Sequence, residues 1–177
     1  MLLWHVGGTA LIARYVFRDG AMDLRWLALG AILPDLIDKP IGSILFHEVF
    51  HNHRIFGHAL LFPVAGLIAA LVVTRRGSAA RKGAFAVVIG VLVHLVLDGA
   101  WTTPEGFLWP LFGWSFAVAS GSDFPTLVRS MVAEPFVWVG EALGAAYLVY
   151  LRRRYLTGVD GVRSFLRTGR IPMPKRS

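Results

Sequence analysis

The stretch Ala84-Phe-Ala-Val-Val-Ile-Gly-Val-Leu-Val-His-Leu-Val-Leu-Asp-Gly-Ala-Trp101 decides the fold. Its residues are almost all apolar, and the run is long enough to cross a bilayer as a helix. It nevertheless carries His94 and Asp98, four residues apart. On a helix that spacing puts the imidazole and the carboxylate on one face, one turn apart. An ionisable group at such depth costs ~2.5–3.5 kcal/mol on insertion scales, so it needs a partner or a task. A divalent metal would supply both, and so would a His–Asp hydrogen bond that ties two helices together.

Composition extends the membrane reading to the whole chain. Of 177 residues, 55% are hydrophobic and only 16% are charged, below the roughly 25% typical of soluble domains. The mean hydropathy of +0.59 agrees. The expected fold is an all-α, polytopic membrane helical bundle of about five spans, at residues 2–17, 24–37, 55–73, 84–101 and 135–151. Residues 1–155 make one integral membrane domain, and 156–177 a basic, weakly ordered cytoplasmic tail. Pro34 and Pro40 predict breaks in regular helix. The start lacks a basic region and a small-residue cleavage site, so the first segment is expected to remain in the mature protein. Without cysteine, disulfides and thiolate metal sites are excluded. His and carboxylate ligands suit zinc, manganese or iron.

The positive charges give an orientation. Placing residues 18–25, 75–82 and the tail on one side gathers all of the 18 Lys and Arg except Lys39, Arg54 and Arg129. That side is cytoplasmic by the positive-inside rule. The formal charge of +7 is thereby assigned to anionic lipid rather than to nucleic acid. The same topology sets His5, Asp35, Asp38, His58, His94 and Asp98 near the outer ends of their spans. Together with His53, these are candidate ligands for one or two divalent ions, or for one ion plus supporting groups. Asp38 could equally pair with Lys39 or cap a helix, and His5 could be an interfacial histidine. Arg54, next to the cluster, suits a phosphate or carboxylate, or an ion pair with Asp35, Asp38 or Glu48. Asp38 and Arg54 are the candidate catalytic residues.

Two further features have competing readings. His47-Glu-Val-Phe-His51 fits the H-E-x-x-H pattern of a membrane metalloprotease with Glu48 as base, provided the helix is continuous. It also reads as a solvated interfacial stretch. The segment 102–130 reads as a loop, and its Phe107, Trp109, Phe112, Trp114 and Phe116 have the aromatic density of an interfacial anchor, with a substrate-lining role as the competing reading.

His5-x-x-Gly8, Leu33-Pro-Asp-Leu-Ile-Asp-Lys39, His53-Arg-Ile-Phe-Gly-His58, His94-Leu-Val-Leu-Asp98 with Thr103-Pro104, and Leu108-Trp-Pro110 follow one another in order. In this the chain resembles the membrane-bound metal-dependent hydrolases of bacterial and archaeal inner membranes, of the DNA-damage-inducible type, over residues 1–112. The ligand pattern is also similar to that of zinc-dependent phospholipase C and P1-type nucleases. The resemblance implies that His94, Asp98, Asp35 and His58 hold metal, with His5 as a further ligand. It also implies hydrolysis of a small-molecule or lipid phosphoester by metal-activated water at the outer face of the inner membrane. A divalent-metal-binding or transport protein without hydrolase activity is the alternative. Transport would ask for polar residues through the inner halves of the spans, and Leu67–Val73 and Ala84–Val91 offer none.

Overall fold

The computed structural model describes residues 1–119, 121 and 123–173, and every regular element among them is helical. Helix α1 (Leu2–Ile12) runs on as a π-helical turn over Ala13–Phe17 and stops where Arg18 turns left-handed at φ 52°. Helix α2 (Leu24–Pro40) starts at Asp23, whose carboxylate accepts the Arg25 N–H at 2.9 Å, a side-chain cap of the usual kind. It then passes into a π-helical turn, Ile41–Leu45. The break expected at Pro34 is absent. Pro34 is buried inside α2, and the Gly57 backbone packs against it so closely that a Cβ on Gly57 would lie 2.9 Å from its Cα. Packing on a neighbouring segment outweighs the lost N–H, a compromise that membrane helices commonly accept.

The remaining helices are α3 (His47–Phe50), α4 (Leu61–Val73), α5 (Ala79–Leu97), α6 (Pro104–Phe107), α7 (Phe124–Ala133), α8 (Pro135–Tyr155) and α9 (Gly158–Thr168). Two of them correct the sequence reading. Helix α7 lies in the segment expected to be loop, and Asp123 caps it by accepting from Thr126 N–H at 3.1 Å. Helix α9 lies in the expected weakly ordered tail. The chain on either side of it is held by Arg14, which donates to the carbonyl of Pro172 at 2.8 Å and stacks over Tyr155 at 4.4 Å. Buried Arg14 is thus an anchor for the C-terminal segment.

Helices α2 and α5 form the broadest interface; α1 packs on α8, α2 and α5, and α4 on α5. Glycine makes the central approach possible. A Cβ on Gly90 would lie 2.3 Å from the Leu27 carbonyl oxygen, and one on Gly30 2.1 Å from that of Val87. The two backbones therefore touch, as small residues allow between helices in lipid. Gly7 and Gly144 do the same for α1 and α8.

Among the described residues, α5 is the one helix long and apolar enough to cross a membrane, and α7 and α8, bent by 75° at their junction, are so only when taken together. Leu2–Phe17 and Leu61–Val73 are shorter apolar helices. Large apolar side chains face outward on α4 (Ile68, Leu71, Val72) and α8 (Phe136, Val139, Leu143).

Candidate metal centre

Five side chains from four segments meet beside the crossing of α2 and α5. His94 lies in the last turn of the apolar helix α5, and Asp98 caps that helix. The Asp98 N–H donates to the His94 carbonyl at 2.9 Å, and Gly99 then turns the chain away at φ 62°. The i, i+4 geometry read from the sequence is therefore real. Asp35 comes from α2, His5 from α1, and His58 from the loop before α4. Asp35, His58 and His94 each offer a ligand atom, and these atoms all lie within 4.8 Å of one another. His58 Nε2 is 3.7 Å from Asp35 Oδ1 and 3.5 Å from Asp98 Oδ2. His5 Nε2 is 3.7 Å from Asp98 Oδ1, and its ring stacks on that of His94 at 4.0 Å between centroids.

Hydrogen bonding fixes which nitrogen each ring presents. His94 Nδ1 sits 2.7 Å from the Ala31 carbonyl oxygen, and His5 Nδ1 contacts the Met1 carbonyl. A carbonyl only accepts, so both Nδ1 atoms carry the proton and donate it. His58 Nδ1 donates to Asp38 Oδ2 at 2.7 Å. Where the three rings are neutral, Nε2 is left as a bare lone pair. His58 Nε2 and His94 Nε2 face each other at 3.3 Å, and His5 Nε2 is buried with no partner among the described residues. Such lone pairs, converging with two carboxylates, repel unless a proton or a metal ion lies among them. This donor set of imidazole nitrogen and carboxylate oxygen fits zinc or a similar divalent ion. Each imidazole is steered from behind by an acceptor on its other nitrogen, as metal-binding histidines commonly are.

Asp38 does not stand where a catalytic base would. It is fully buried behind His58. One oxygen accepts from Gly57 N–H at 2.8 Å; the other accepts from Ile55 N–H at 2.8 Å, His58 N–H at 3.1 Å and the His58 ring. It thus folds the loop 55–58 around itself and aims His58. Asp35, one turn earlier on α2, faces the cluster instead and pairs with Lys39 at 2.6 Å.

Arg54 reaches the rim of the cluster, 2.6 Å from Asp98 Oδ2. His53 is not among the converging ligands. It lines a neighbouring cavity of about 290 Å³ together with Arg54, His58 and Phe107. Burial, and then the Arg54 guanidinium, keep the His53 imidazole less basic than usual. The H-E-x-x-H pattern forms no site. Its helix lasts one turn, His51 closes it at φ 47°, and Glu48 is exposed. A zinc-binding pair would need His47 and His51 on one continuous helix.

Two contributors escaped the sequence: the carbonyls of Met1 and Ala31, which orient His5 and His94. No residue type marks a carbonyl for that work. Asp38 was visible as a residue but not as a support. Its spacing of three from Asp35 puts both on one side of α2, and only the folded loop shows that they face different neighbours.

Compared with known proteins, residues 2–157 match the family described as YdjM inner membrane protein. No curated protein and no solved structure matches the chain.

Proposed function

The chain belongs to the YdjM inner membrane protein family, and from that premise we propose that it is a multi-pass metal-dependent hydrolase of a phosphoester. The observation that carries this reading is that the buried Nε2 atoms of His5, His58 and His94 lie beside one another and the carboxylates of Asp35 and Asp98. His5, His58, His94, Asp35 and Asp98 would hold one or two divalent ions, zinc by ligand type, with manganese or iron as the alternatives. When bound, such an ion supplies a Lewis acid for the phosphoryl oxygen and a water that is nucleophilic near neutral pH. The chain's own residues do the rest. Asp38 holds His58 in the tautomer that presents Nε2. Arg54 lines the adjacent cavity and would pair with a phosphoryl oxygen through its planar N–H groups.

Multi-pass insertion, with the centre outside and the C-terminus in the cytoplasm, is part of the same proposal. It is supported by the outward apolar side chains of α4 and α8 and by the distribution of Lys and Arg. The transport reading is less well supported: no polar side chain interrupts α4, or α5 between Ala84 and Val93.

Elemental analysis of the purified protein tests the centre. We expect bound metal in the wild type and its loss in His94→Ala and Asp98→Ala. Equal metal in all three proteins would refute the assignment. A screen of phosphomonoesters and phosphodiesters with added zinc or manganese tests the reaction, and turnover that survives both substitutions would refute it.

A further inference from the structure

The segment from Pro104 to Ala119 serves two surfaces at once. Its inner side walls the 290 Å³ cavity, with Phe107, Ala117 and Val118 opposite His53, Arg54 and His58. Three hydrogen bonds fix it to the loop that carries His58. The Leu60 N–H donates to the Phe107 carbonyl at 2.7 Å, Asn52 Nδ2 to the Ala117 carbonyl at 2.8 Å, and the Ala119 N–H to the His51 carbonyl at 2.8 Å. An aromatic cluster stiffens the join: Trp109 stacks on Phe116 at 5.3 Å, and Phe56 meets both rings edge-on at 5.3 and 5.2 Å. The outer side is bare and apolar. Leu111 is 81% exposed, Phe112 65% and Trp114 80%.

In a protein of an inner-membrane family, side chains of this kind belong at the boundary between headgroups and acyl chains. The wall of the cavity and the membrane-facing wedge are then one rigid piece. The cavity is polar on the Arg54 flank and mostly apolar on the other, where Thr103 and the exposed Glu105 are the polar exceptions. Its volume lies at the lower end of the ~300–1,000 Å³ usual for ligand pockets, enough for a headgroup but not for two acyl chains. Among the described residues, the Arg54 N–H groups that do not face Asp98 make no hydrogen bond.

We propose that this cavity takes the phosphodiester headgroup of an anionic membrane lipid, while the acyl chains stay in the bilayer along Leu111, Phe112 and Trp114. The proposal rests on the phosphoester reading of the metal centre and narrows its substrate to lipid.

The test is binding to the full chain, metal-loaded and in detergent, with dioleoyl phosphatidylglycerol as probe against glycerophosphoglycerol, the same headgroup without chains. The lipid should bind at least tenfold more tightly than the headgroup. Arg54→Gln should weaken both by a similar factor of about ten. The double variant Leu111→Ser, Phe112→Ser alters side chains that take no part in the aromatic cluster. It should weaken the lipid about tenfold more than it weakens the headgroup. Equal affinity for the two probes, an unchanged lipid preference in the double variant, or a variant that alters self-association instead of lipid affinity would each overturn the proposal. Lipid binding without hydrolysis would overturn the reaction proposed above and leave this inference standing. Hydrolysis of soluble phosphoesters without lipid preference would do the reverse.

Discussion

Asp38 Oδ2 lies 2.7 Å from His58 Nδ1, and the same carboxylate accepts three backbone N–H groups from the loop on which His58 stands. One buried anion therefore sets both the path of a loop and the tautomer of a ring. Charge-assisted hydrogen bonds of this kind contribute ~1.5–3 kcal/mol each, and their joint loss leaves several donors buried without acceptors.

Asp38→Asn tests that dual role. The amide can accept at one atom only, and its NH₂ would face N–H donors. We expect metal affinity to fall by about 10–100-fold, the range seen when a residue that supports a ligand is replaced, together with a lower melting temperature. Metal titration with thermal unfolding in detergent checks both. Unchanged affinity would show that His58 is aimed without Asp38.

Arg54→Gln should leave the metal in place and raise KM for a phosphoester by roughly tenfold or more, the loss of about one charge-assisted bond. Arg54→Lys should restore little, because an ammonium cannot reproduce the planar pair of donors. Steady-state kinetics beside metal analysis separates this outcome from damage to Asp98, its 2.6 Å neighbour.

Glu48→Gln and His51→Ala should alter neither metal content nor activity. Both residues are exposed and stand on or beyond a one-turn helix. Loss of activity with metal retained in Glu48→Gln would restore the protease reading.

Gly90→Ala should destabilise the bundle. Its new Cβ would fall 2.3 Å from the Leu27 carbonyl, so α2 and α5 must part, at a cost of about 1–3 kcal/mol for overpacking. Gly106→Ala is the matched control, since nothing lies within 4 Å of a Cβ there. Thermal unfolding should show a lower midpoint for the first and little change for the second.

Asp23 supplies a pH signature away from the centre. Its hydrogen bond from Arg25 holds the carboxyl below its ordinary range. A depressed carboxyl stabilises the folded state above the unfolded pKa, near 3.9, and the contribution fades as pH falls through the folded value. Asp23→Ala should cost roughly 1 kcal/mol at neutral pH, as lost helix caps typically do, and less below about pH 4. Unfolding curves of both proteins across that range give the comparison.

Much of this was legible in the chain because apolar runs and helix periodicity are local. The i, i+4 pairing of His94 with Asp98 needed only α5 to be helical. That Asp35 and His58 join it followed from their shared position near the ends of apolar runs. Asp38 could not be placed, because its role depends on where the loop 55–58 folds back, a contact across 17–20 residues. The ordering of α9 was hidden for a similar reason. Its composition reads as a solvated basic tail until buried Arg14 is seen to hold Ile171 and Pro172 just beyond it, more than 150 residues downstream of that arginine.

Gly90 lies one helical turn before His94, and Gly30 immediately before the Ala31 whose carbonyl orients that ring. The contact between these two bare backbones is thus the ruler against which the imidazole is set. Metal–ligand distances vary by only about 0.2 Å, so if the centre holds an ion as proposed, its choice of ion would be set partly by a place where no ligand stands. A methyl group added there would change ion selectivity while every coordinating side chain remained intact.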